Sequence, residues 1–68
     1  MKKEELFLTL QYDSQEQKIF SIYERILIHK GIIAIERGEE PEIPKYLKQR
    51  VLALLEEIKR QEWEPYKF

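Results

Sequence analysis

The chain contains no cysteine, two glycines, three prolines and a single histidine in 68 residues. Without cysteine there is no disulfide framework, no iron–sulfur cluster, no thiolate zinc site and no cysteine nucleophile. A basic excess is also missing. Twelve Lys and Arg against thirteen Asp and Glu leave a net charge of −1. Nucleic-acid binders usually carry a positive surplus, because neutralising phosphates supplies most of their affinity, so nucleic acid is disfavoured as a partner. No apolar run approaches the ~20 residues that cross a bilayer. The stretch after the charged start, Leu6 to Leu10, is too short for a signal-peptide core and meets no small-residue cleavage site. The expectation is a cytoplasmic protein with no membrane association. At this length the chain is a single small domain (1–68), in which folding buries only about 60% of the unfolded chain's surface. With no covalent staple, helix packing or self-association must complete the core.

Along the chain, Glu5-Leu6-Phe7-Leu8-Thr9-Leu10-Gln11-Tyr12 alternates, with Leu6, Leu8, Leu10 and Tyr12 on one side. Period two predicts a short strand or extended arm within residues 1–13; the rival is a helical turn running in from Lys2, favoured by Leu and Glu. Ser14 with Gln17 three residues later reads as a capping box opening a first helix over about 15–37, within a 14–38 segment. Gly31 could end that helix, with residues 32–35 becoming a buried strand. The in-phase positions Ile26, Ile33 and Ala34 favour a helix that passes Gly31 and stops at Gly38. The acidic, proline-broken connection 39–43 leads to Pro44 at the start of a second helix, 44–62. Its stripe is Leu47, Val51, Leu54, Leu55 and Ile58. A short connection predicts an antiparallel hairpin. The tail 63–68 carries Trp63, Tyr66 and Phe68.

The first helix has two apolar sides. Ile19, Ile22, Tyr23, Ile26 and Ile33 recur on one; Ile28, Ile32 and Ile35 lie opposite. A helix apolar nearly all round is buried on two sides, and a hairpin alone has too little to cover both. This predicts a homodimer pairing through Ile28, Ile32 and Ile35 into a four-helix core.

Residues able to carry chemistry are few. His29 has no companion at a metal-ligand spacing. Glu56 and Glu57 read as a solvated helix face, and Glu39, Glu40 and Glu42 as a solvated loop. A hard-cation site in that loop would lack aspartate and a glycine-centred turn. Thr9, Ser14 and Ser21 belong to no nucleophile motif. No cofactor, metal site or catalytic residue is expected, and the chain reads as a non-enzyme. Trp63, Tyr66 and Phe68 are candidates for protein-partner binding, because aromatics are enriched at hot spots.

A strand over 6–12 followed by a capped helix is similar to the opening of ribbon-helix-helix repressors, where a strand pairs with its dimer mate and enters the major groove. The resemblance implies Leu8, Leu10 and Tyr12 facing the core, with Phe7, Thr9 and Gln11 facing DNA. The outward face carries no Lys or Arg, the first helix exceeds the pattern in length, and the net charge is not basic. DNA contact by Thr9 and Gln11 is therefore the second reading. The first is a mainly α, non-catalytic, homodimeric regulatory or interaction protein that binds another protein.

Overall fold

A computed structural model describes residues 1–61, apart from the side chains of Glu16 and Gln17. The described chain is mainly helical, with no strand. Helix α1 spans Lys3–Tyr12, a π-helical turn covers Asp13–Gln17, and α2 (Ile22–Glu36) and α3 (Lys45–Arg60) follow.

The segment expected as a strand is helical. Glu4 and Glu5 in the first turn of α1 complement the positive end of its dipole. Leu6, Thr9 and Tyr12, three residues apart, are its buried positions, and Asp13 just beyond its end is buried with them. Thr9, a β-former, is accommodated because its hydroxyl donates to the Glu5 carbonyl one turn back at 2.9 Å. The alternation has a different cause. α1 packs against both α2 and α3, and Phe7, Leu8 and Leu10 are partly buried around the wholly buried Leu6. A helix flanked by two others needs apolar side chains on several sides and shows no single stripe.

The expected helix 15–37 is divided. Residues 13–17 extend α1 as a wider turn, Lys18 adopts a left-handed conformation (φ 45°, ψ 47°), and α2 begins at Ile22. Ser14 does not cap α2; its hydroxyl donates to the Gln11 carbonyl at 2.8 Å. The capping box is Ser21 with Glu24. The Ser21 hydroxyl accepts the Glu24 N–H at 3.2 Å, and the Glu24 carboxylate accepts the Ser21 N–H at 3.0 Å. Such a cap is worth about 1 kcal/mol.

α2 does pass Gly31 and ends at Gly38 (φ 77°). The Glu39 N–H reaches the Ala34 carbonyl at 2.8 Å and the Gly38 N–H reaches Ile35 at 3.0 Å, a Schellman closure that requires the positive φ. Gly31 itself is buried because the connection lies on it. A Cβ there would stand 3.0 Å from Ile43 Cδ1 and 3.3 Å from Pro41 Cβ. Pro44 caps α3, its carbonyl accepting the Lys48 N–H at 2.9 Å.

The stripe read for α3 is the observed one: Leu47, Val51, Leu54, Leu55 and Ile58 are all buried. They meet Leu6 and Tyr12 of α1, Phe20 from the turn, and Ile28 and Ile32 of α2 in one core. The hairpin expected between the two later helices is opened by α1, whose contacts with each exceed those they make together.

Gly31→Val is expected to lower the free energy of unfolding by about 1–3 kcal/mol through overpacking against Ile43 and Pro41. Denaturant midpoints measure this. A midpoint at or above that of the parent would mean the connection does not rest on the helix.

Candidate interaction surface

A polar cluster fixes how α2 leaves the turn. The Asp13 side chain is almost wholly buried at the end of α1. Its Oδ1 accepts the N–H groups of Ile19 and Phe20, the latter at 3.0 Å, and its Oδ2 accepts Arg25 Nε at 2.6 Å. The Lys18 N–H closes onto the Asp13 carbonyl at 3.0 Å. From α3, Arg50 grips both oxygens of Glu24 at 3.0 and 2.8 Å, donates to the Ile19 carbonyl at 2.7 Å, and lies 5.2 Å from the centroid of the Phe20 ring. One guanidinium nitrogen, Nη1, serves both carboxylate oxygens while the other, Nη2, serves the carbonyl, a division of labour that suits a planar two-nitrogen head and not an ammonium. The Ser21 N–H holds the Glu24 carboxyl below the ordinary carboxylate range. The Arg50 charge acts in the same direction, and burial opposes both.

These groups are engaged with one another and with backbone. They form a brace between α1, α2 and α3. Among the described residues, no group of three or more His, Asp or Glu side chains is arranged to hold a metal ion. No helix there is long and apolar enough to cross a membrane. His29 is exposed and lines a groove between α1 and α2 with Lys3, Glu4, Phe7, Ile32 and Glu36. Lys3 and Glu36 are bridged at 3.2 Å on the surface. Glu39, Glu40 and Glu42 border a second groove beside Lys30 and Ala34, without converging on a point.

The isoleucines assigned to a dimer interface are inside the chain. Ile28 is 0% exposed, Ile32 is buried, and Ile35 packs partly against the same core. α1, expected as a strand, is the helix that covers them. The two-sided character of α2 is real, and the uncovered side is the other one. Ile22 is 77% exposed, Tyr23 66%, Ile26 48% and Ile33 47%. Ile22, Ile26 and Ile33 share one helix face, with Lys30 and Arg37 between them and Tyr23. Tyr46 and Leu52 on α3 are further exposed apolar side chains.

The groups assigned to DNA are not presented for that role. Thr9 is fully buried, Gln11 is half-buried on a helix, and the strand that would enter the groove does not form. Trp63, Tyr66 and Phe68 lie outside the described residues. The Asp13 brace was missed in the sequence because its contacts reach six, seven and twelve residues onward, a pattern no helix or turn motif encodes. The observed box, Ser21-x-x-Glu24, has the same spacing as the expected Ser14-x-x-Gln17 and lies seven residues further on. Comparison with protein-family models, with curated proteins and with solved structures returns no match.

Removing one partner of a buried ion pair strands the other. Asp13→Glu, whose longer side chain misplaces the carboxylate, is expected to cost about 3 kcal/mol in denaturant unfolding. A loss within ~0.5 kcal/mol, the range of ordinary surface changes, would remove the brace from its role. Glu24→Gln keeps the cap and deletes the charge. Because the folded pKa of Glu24 is lowered, its ionised form stabilises the fold above the ordinary glutamate pKa. That contribution is lost as pH falls through the lowered value. The stability gap between parent and Glu24→Gln should therefore be constant well above the ordinary glutamate pKa of about 4.3 and narrow as the pH falls below it. A pH-independent gap would contradict it.

Proposed function

We propose that this protein is a small, non-catalytic interaction protein of the cytoplasm that acts as a homodimer and binds another protein. The observation that carries the reading is the uncovered face of α2, where Ile22, Tyr23, Ile26 and Ile33 stand in solvent along one helix. Scattered apolar residues are ordinary on a surface, whereas several on one helix face, here with Lys30 between Ile26 and Ile33, suit an interface. A second copy is the occupant that needs fewest further assumptions: a two-fold pairing uses the same patch on both chains, and the row from Ile22 to Ile33 runs about 16 Å along the helix. Small domains without disulfides or metals commonly complete their cores this way. The non-catalytic part of the reading is supported by the buried carboxylates. Asp13 and Glu24 are each taken up by an arginine and by backbone N–H groups, which leaves neither poised for proton transfer. Trp63, Tyr66 and Phe68 supply the aromatic chemistry typical of hot spots for the second protein.

Sedimentation velocity over the micromolar range tests the pairing. The parent chain is expected to sediment as a dimer, and Ile26→Glu to yield a folded monomer with an unchanged helical spectrum. Ile28→Glu places a charge in the core and is expected to unfold the chain. A parent chain that stays monomeric throughout would defeat the reading.

A further inference from the structure

The junction between α1 and α2 is held in a shape its residues do not favour. Lys18 occupies the left-handed region, which side-chain-bearing residues seldom enter, and the preceding turn is π-helical. From Met1 to Lys30 there is no glycine and no proline, so nothing covalent forbids one continuous helix. The bend is held by Asp13 on the N–H groups of Ile19 and Phe20, by the Ser21–Glu24 cap, and from α3 by Arg50 on the Ile19 carbonyl. Were α1 and α2 continuous, Ile19 would fall in line with Ile22, Ile26 and Ile33 at intervals of three, four and seven. That is a short coiled-coil seam reaching from α2 back into the bend, with His29 at its remaining position. In the bent chain the seam is cut at Ser21 and its remainder faces solvent.

We infer that residues 13–21 are a hinge, and that two copies pair by straightening it and exchanging their α1 helices. This rests on the homodimer reading above and specifies how the dimer is made. Each α1 re-forms on its partner's α2 and α3 the contacts it makes in its own chain, so the inter-helix part of the core is conserved while Ile19 and Phe20 of the hinge are repacked. The gain comes at the hinge. Two straightened helices cross there, and Ile19, Ile22, Tyr23 and Ile26, which include the most exposed apolar positions of α2, cover their counterparts. The contacts of Asp13 with Arg25 and with the Ile19 and Phe20 N–H groups, and of Arg50 with the Ile19 carbonyl, set the balance, because they hold the bent form.

Intrachain distance separates exchange from simple side-by-side pairing. The chain lacks cysteine, so Lys2→Cys with Arg37→Cys places two spin labels and no others. Dilution with excess unlabelled protein leaves only intrachain distances. In the bent chain Lys3 touches Glu36 and the longest dimension of the fold is 29 Å, so the labels are close. A straight helix would separate them by about 52 Å. The dimer is expected to show the long distance and the monomer the short one. Lys18→Gly relaxes the left-handed residue and weakens a continuous helix, and should raise the dimer dissociation constant about tenfold or more. A dimer that shows only the short distance and ignores Lys18→Gly would overturn the exchange while leaving the homodimer standing. A chain monomeric at every concentration would overturn both.

Discussion

Of the thirteen acidic residues, Asp13 is the only aspartate, and its carboxylate is the contact on which the arrangement of the helices depends. A short side chain at the end of α1 can turn back onto backbone N–H groups that a glutamate would overshoot. By taking those of Ile19 and Phe20 it substitutes for the hydrogen bonds the chain gives up on leaving the helix. Its second oxygen recruits Arg25 from α2, so the same group that ends one helix aligns the next. Arg50 then ties this turn to α3 through Glu24, the Ile19 carbonyl and the face of Phe20. The net worth of such a cluster is modest, because burying charges offsets much of their attraction. Its effect is on which arrangement is adopted, since a partly broken cluster is far worse than an intact one.

Once the turn is set, the distribution of apolar residues follows. α1 lies against both other helices and carries its apolar side chains accordingly, while α3 needs only one stripe. α2 receives α1 on the side of Ile28 and Ile32, and the connection 39–44 on the side of Gly31. Within residues 1–61 the side of Ile22, Ile26 and Ile33 stays about half exposed or more. The deficit of a small core is thus concentrated on one helix face, with basic Lys30 and Arg37 interspersed.

What the sequence disclosed and what it hid divide along physical lines. α3 was legible because one clean period of 3.6 corresponds to one buried face. The passage of α2 across Gly31 and its end at Gly38 were legible from phase and from the conformational freedom a Schellman closure demands. The N-terminal segment was misread because Leu6, Leu8, Leu10 and Tyr12 alternate by accident of a helix packed on two sides. That error propagated: with α1 taken as a strand, the only helix left to cover Ile28, Ile32 and Ile35 was another chain's. The side expected to be uncovered, Ile28, Ile32 and Ile35, lies in or against the core, and the side expected inside, Ile22, Ile26 and Ile33, is the exposed one. The Asp13 brace, which cuts the long helix in two, depends on tertiary contacts with α2 and α3 and has no local signature.

Gly31 has a consequence that extends beyond this chain. The space where its side chain would stand is filled by Ile43 and Pro41, so the volume available at one position is set by the residue at another twelve places on. Relatives that keep this connection should then not vary freely at either place. A larger residue at 31 would be compatible only with a smaller one at 43, and glycine at 31 only with a side chain at 43 long enough to close the gap. Correlated substitution at these two sites, independent of what any surface binds, would be the evolutionary trace of a loop folded onto a helix.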